Sequence, residues 1–362
     1  IETVPADGSI QIEFAYASPI FRIDPESGFL RDDEGLPEIV REEIFVATLL
    51  LPAGASDEAP VVPLTMGHGF GMDRTQLCAL ARPFVMTREK FALACFDWDL
   101  HGQRGAGADA ILGLLAPRTL PALASVFLQS AVDELVFSES LRALAADPAL
   151  EERLDVSRHL YAGVSMGGVV GALVTAIDEM VDASVLNVPG AGIVHIVRQS
   201  SLFDSLGVRR IVREVVDSLG SVTSLPGDLE AELIIAMSQF ALDEADPANW
   251  GSHIVHDRLV AGAPPVLVQE SMGDGVVPNF TTELLARSIG LPLVSPYRDE
   301  VPGLQVVEAP TGPHGLTQFS VAPGGPLAHL LIAFTGVQDQ LFYFLDSILD
   351  EDPANDGDIR FE

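Results

Sequence analysis

The stretch Tyr161-Ala162-Gly163-Val164-Ser165-Met166-Gly167-Gly168 decides how the rest of the chain is read. Its Gly-x-Ser-x-Gly spacing follows an apolar run, His159–Val164, and opens a helical one, Met166–Ile177. A strand that turns at once into a helix leaves the turn residue in a strained conformation. Glycines on either side let strand and helix approach each other closely. The serine then stands at the carboxyl end of a strand and the positive end of a helix. In a chain with 32 glycines the bare pattern carries little weight, so its surroundings have to decide.

Those surroundings alternate between strand and helix. Apolar, β-branched runs at Glu43–Leu51, Pro60–Thr65, Phe91–Phe96, Ala183–Val188, Pro265–Gln269 and Leu304–Glu308 read as strands, the one at 304–308 as the last. Between them, Asp73–Arg82, Leu120–Ala146, Thr281–Ile289 and Ala328–Leu349 carry helical periodicity. This alternation predicts an α/β fold with a mostly parallel sheet, helices on both faces and ligands at the carboxyl ends of the strands. The whole chain, 1–362, reads as one domain. Residues 1–42 form an N-terminal extension with a short strand near Gln11–Tyr16. From Gly190 to Gly262 the alternation stops; segments such as Val208–Leu219 and Leu229–Leu242 suggest a helical insertion capping the carboxyl edge.

Twenty basic against 52 acidic residues give a formal charge of −32, and the only lysine is Lys90. Such a surface repels nucleic acid and anionic membranes. It reads either as an ordinary solvated acidic coat or as adaptation to high salt. No uninterrupted apolar run reaches the roughly 18–20 residues of a membrane span, so no stable membrane insertion is expected. Cys78 and Cys95 have no metal-ligand spacing around them; a disulfide and two buried thiols both fit. The opening residue, Ile1, reads as the start of a processed chain. The acidic tail with Asp352, Asn355, Asp356 and Asp358 lacks the spacing of a calcium loop and reads as solvated.

A serine nucleophile needs a base, and the base needs an acid that fixes its tautomer. Of eight histidines, His314 lies in Thr311-Gly312-Pro313-His314-Gly315, a turn placed just after the last expected strand, and is the candidate base. Asp274, in Met272-Gly273-Asp274-Gly275 after the strand Pro265–Gln269, is the candidate acid. The oxyanion donors are the N–H of Met166, next to the nucleophile, and of Phe70, in the loop His68-Gly69-Phe70-Gly71. That loop, with His68, Gly69 and Phe70, also borders the expected substrate pocket, the imidazole of His68 being read as a brace for the loop.

With these parts in the order Ser165, Asp274, His314, residues 43–349 resemble the α/β-hydrolase superfamily. A narrower similarity links His68–Arg74, Leu100–Gly105 and Leu128–Asp133 to extracellular bacterial lipases and esterases of the virulence-factor type, although Val164 stands where lipases often carry histidine. The resemblance implies a serine carboxylic ester hydrolase needing no metal or organic cofactor, acting on a small-molecule or lipid ester, in a secreted or periplasmic setting. A peptidase or amidase on the same fold, and a binding protein without catalysis, are the alternatives. The insertion 190–262 either lines an acyl pocket or packs on itself.

Overall fold

The computed structural model describes every residue except 1, 4–7, 106, 116–118, 151, 209, 211–226, 322, 351–356 and 362. The apolar runs become the inner strands of one sheet. Its members are β1 (Glu2–Thr3), β2 (Ile10–Ile20), β3 (Arg41–Leu51), β4 (Val62–Gly67), β5 (Phe91–Cys95), β6 (Leu160–Val164), β7 (Ala183–Asn187), β8 (Val266–Ser271), β9 (Leu293–Ser295), β10 (Val306–Glu308) and β11 (His314–Phe319). They lie in the order β1-β2-β3-β5-β4-β6-β7-β8-β11-β9-β10. β1, β2 and β3 run antiparallel to their neighbours, and the remaining pairs are parallel. β4 to β8 are almost wholly buried, as strands covered on both faces must be.

The helices Leu120–Ala145, Met166–Ile177 and Asn279–Ile289 cover one face, and Arg74–Val85 and Thr335–Leu349 the other. The helix Arg74–Val85 starts at a capping box: the Asp73 side chain accepts from the Gln76 N–H, and the Gln76 side chain returns a bond to the Asp73 N–H. A disulfide between Cys78 and Cys95 ties this helix to β5, which resolves the alternative left open by the sequence. Leu120–Ala145 is the one described helix long and apolar enough to cross a membrane; its apolar window is two-thirds buried within the protein.

Three sequence expectations change here. Residues 10–20 form a full-length antiparallel partner of β3, so the amino-terminal segment is part of the sheet. β10 is followed by a further strand, β11, inserted between β8 and β9. The expected helix Ala328–Leu349 begins only at Thr335, after a loop and the 3-10 turn Leu331–Ala333. Within the insertion, Ile193–Gln199 and Ser201–Ser205 flank the carboxyl edge, and Gly227–Leu242 packs on Leu120–Ala145. Pro247–Trp250 and Ser252–Val255 lie against the face-covering helices Met166–Ile177 and Asn279–Ile289. The expected helix Val208–Leu219 falls almost entirely outside the described residues.

The polar segment after β5 is locked by buried charge. Asp97 accepts from the Arg74 N–H at 2.7 Å and the Gln103 N–H at 3.1 Å, and pairs with the Arg74 guanidinium at 3.3 Å. Asp99 pairs with Arg22 at 2.5 Å and with Arg104 at 3.4 Å, while Arg104 also holds Asp133. Gln129 and Ser18 donate to the same Asp133 carboxylate. Arg104, Gln129 and Asp133 are among the residues that carry the narrower lipase similarity. In this chain they form scaffold beneath β2 and β5.

Candidate active site

Ser165 occupies the turn between β6 and the helix Met166–Ile177, with φ 58° and ψ −116°, a strained conformation for a residue with a side chain. Backbone packing explains why glycines surround it. A Cβ on Gly163 would lie 2.1 Å from the Gly167 carbonyl oxygen, and one on Gly167 would lie 2.2 Å from that of Gly67 in β4. Tyr161 Oη donates to the Gly167 carbonyl at 2.6 Å and fixes the crossing from the strand side.

The acid loop follows β8. Asp274 Oδ1 accepts from the N–H groups of Val276 (2.8 Å) and Val277 (3.1 Å), which orients Oδ2 outward. Oδ2 lies 2.6 Å from Nδ1 of His329, and Nε2 of the same ring lies 2.8 Å from Ser165 Oγ. An ionised carboxylate only accepts, so Nδ1 carries the ring proton and Nε2 is free to accept from the serine hydroxyl. The acid and histidine loops are stitched together: the Gly325 N–H donates to Gly273 O at 2.7 Å and the Gly275 N–H to Gly325 O at 3.2 Å.

The histidine expected from the sequence is therefore corrected. His314 is the first residue of β11 and pairs with Val266, the first residue of β8, at the amino end of the sheet. Six residues of extended chain, about 17–20 Å, separate the two ends of β11, and Ser165 lies beyond the carboxyl end of its strand. His314 Nδ1 accepts from the Val266 N–H at 3.2 Å. Burial, with His256 nearby, lowers its pKa to about 4, so the ring is neutral packing. His329 falls within the expected helix Ala328–Leu349, but the helix starts six residues later, at Thr335. The signal that finds it is Gly324-Gly325-Pro326, a helix-breaking run that opens a loop at the carboxyl end of a strand.

The loop after β4 reaches the serine. A Cβ on Gly69 would contact Ser165 Cβ at 3.5 Å, so the Gly69–Phe70 backbone lies directly against the nucleophile. Met166 opens its helix, and its N–H is one of the four that no helical carbonyl can accept. His68 does not line the pocket, contrary to expectation. It is wholly buried behind the loop, with Nδ1 bonded to Gly69 O at 2.9 Å and Nε2 accepting from the Trp98 N–H at 3.1 Å. Burial, together with His101, lowers its pKa to about 3, so it braces the loop as a neutral ring.

Ser165 and His329 open onto a cavity of ≈ 280 Å³. Its walls are apolar: Phe70, Leu123, Phe127, Ile193, Ile196 and Phe203 are representative, and among the described residues no Asp, Glu, Lys or Arg side chain lines it. Phe70 and Phe203 meet at 5.4 Å between ring centroids, joining the loop after β4 to the start of the insertion. Behind the acid loop, the Asn279 amide donates to Glu270 Oε1 and to Ser271 O, both at 2.8 Å, and its Oδ1 accepts from the Gly273 N–H at 2.8 Å. Gln318 in β11 donates to Glu270 Oε2 at 2.9 Å. Burial raises the Glu270 pKa to about 7.

No family model matches the chain, and no curated protein does. Solved structures are similar in fold. An acetyl xylan esterase from Paenibacillus sp. R4 aligns over 90% of this chain and 81% of its own, with 15% identity and a TM-score of 0.51. An acylaminoacyl peptidase from Pyrococcus horikoshii aligns over 95% of this chain and 42% of its own, with 13% identity and a TM-score of 0.50.

Proposed function

From an α/β-hydrolase fold that holds Ser165, His329 and Asp274 in one hydrogen-bonded line, we propose that this chain is a serine hydrolase cleaving carboxylic esters through an acyl-enzyme. The single observation that carries the reading is that line, 2.8 Å from Ser165 to His329 and 2.6 Å from His329 to Asp274. The Ser165 hydroxyl attacks the ester carbonyl carbon as its proton passes to His329 Nε2. The carbonyl oxygen takes up negative charge facing the Phe70 and Met166 N–H groups. One such donor contributes roughly 10²–10³ in rate. His329 then protonates the departing alcohol as the ester C–O bond breaks. Water attacks the acyl-enzyme, gives a proton to the same nitrogen, and frees the acid while Ser165 regains its hydrogen.

The apolar cavity favours an acyl group or an aromatic acid as the part held in place. A lipase and a short-chain esterase differ in acyl length, and a p-nitrophenyl ester series separates them. The decisive test is fluorophosphonate labelling with peptide mapping, paired with ester turnover. The expected outcome is label on Ser165. Turnover should fall by about 10⁴–10⁶ in Ser165→Ala and His329→Ala and stay near wild type in His314→Ala. Full turnover in His329→Ala, or label on another residue, rejects the reading.

A further inference from the structure

A second cluster of chemistry-bearing side chains lies away from the proposed catalytic site. Glu134 of the helix Leu120–Ala145, His159 just before β6 and Asp178 just after the helix Met166–Ile177 are all buried. One carboxylate oxygen from each acid and one imidazole nitrogen lie within 4.8 Å of one another. Ser138 Oγ sits among them, 3.1 Å from Glu134 Oε1 and 3.2 Å from Asp178 Oδ2. Thr65 Oγ1 holds His159 Nε2 at 2.7 Å and orients the ring, as outer hydrogen bonds do for ligating imidazoles.

Two features set this cluster apart from the buried acids Asp97, Asp99 and Asp133. Asp97, Asp99 and Asp133 each have an arginine against them. Among the described residues, neither Glu134 nor Asp178 has an ion pair with a basic side chain. The Glu134 and Asp178 carboxyl groups also lie in hydrogen-bonding contact with each other, and no donor reaches the buried Glu134 Oε2. Two buried carboxyl groups in contact cannot both ionise unless a proton or a cation lies between them. A neutral imidazole and two carboxyl groups are the donor set of a zinc-type divalent ion; calcium would need six or more oxygens.

We propose that Glu134, His159 and Asp178 form a structural site for a zinc-type divalent cation, with Ser138 or water completing the shell. The ion neutralises the two carboxylates. It fastens the helix Leu120–Ala145 to both ends of the β6–helix unit whose turn is Ser165. Because the cluster is closed to solvent, the ion enters during folding.

The test is to refold or express the protein with zinc, remove loose metal on a chelating resin, and measure bound metal by plasma mass spectrometry. About one equivalent is expected, together with a raised thermal midpoint relative to protein refolded with a chelator. Refolding with cobalt should give the visible absorption of a low-coordinate site. Glu134→Gln and His159→Gln should each lose the metal and the zinc-dependent part of the midpoint. Wild-type protein that takes up neither metal when refolded in its presence, with a midpoint indifferent to zinc, overturns the proposal. So does uptake that persists undiminished in both variants. Should either variant fail to fold, the wild-type stoichiometry and cobalt spectrum decide.

Discussion

Glu270 shows how one buried residue can leave a pH signature on the whole fold. Its carboxyl is fully buried and, among the described residues, accepts from the amides of Asn279 and Gln318. Burial raises its pKa from 4.5 to about 7. A carboxyl whose folded pKa lies above its unfolded value holds its proton longer in the folded state. Its contribution is therefore complete below pH 4.5 and is lost as pH rises through about 7, on the order of 3 kcal/mol in all. Glu270→Gln should flatten this part of the profile. Urea midpoints from pH 4.5 to 8 check it, read as wild type minus variant. The buried imidazoles His68, His159 and His314 pull the opposite way as pH falls, but they are common to both proteins and cancel in the difference. A difference that stays constant with pH removes Glu270 as the source.

At the scale of elements, the disulfide joins the helix Arg74–Val85 to β5 across 17 residues. Closing a loop of that length restricts the unfolded chain and contributes about 3 kcal/mol. Cys78→Ala/Cys95→Ala should lower the urea midpoint accordingly while ester turnover at 25 °C persists, because neither cysteine lines the cavity. A midpoint equal to wild type would contradict this. The elements also divide into those the sequence disclosed and those it concealed. β6, β7 and β8 are short apolar runs, and the helix Met166–Ile177 was legible to the residue. β11 was not: His314-Gly315-Leu316-Thr317-Gln318-Phe319 has too few apolar residues to stand out. Its polar side chains are satisfied in the interior, Thr317 by Gln340 and Gln318 by Glu270, a pairing that exists only in three dimensions. Without a visible β11, the proline-rich turn before it reads as the loop after the last strand, which points to His314 as the base. Ser165, Asp274 and the glycine loop were readable because each sits in a local pattern of strand, turn and glycine. His329 is defined only by its place after β11.

The whole molecule carries 52 acidic against 20 basic residues. Even if every basic side chain paired once, 32 carboxylates would stay uncompensated apart from solvent and counterions. Salt shortens the reach of their repulsion from about 10 Å at 0.1 M to about 3 Å at 1 M. The thermal midpoint is therefore expected to rise as sodium chloride goes from low to molar concentration. Scanning calorimetry across that range checks it; a flat or falling midpoint shows that self-repulsion does not limit this fold and removes the reading of adaptation to high salt.

The order in which the three active-site side chains appear along the chain has a consequence for biosynthesis. Ser165 and the loop holding Phe70 belong to strands completed in the first half of the polypeptide. Asp274 and His329 arrive only with β8 and β11, and the loops that carry them are bonded to each other through Gly273 and Gly325. A ribosome-bound chain that has emerged as far as β7 holds Ser165 without His329 or Asp274. The hydrogen-bonded line on which the proposed activity rests is therefore completed late, when the segment beyond β11 folds back over Ser165.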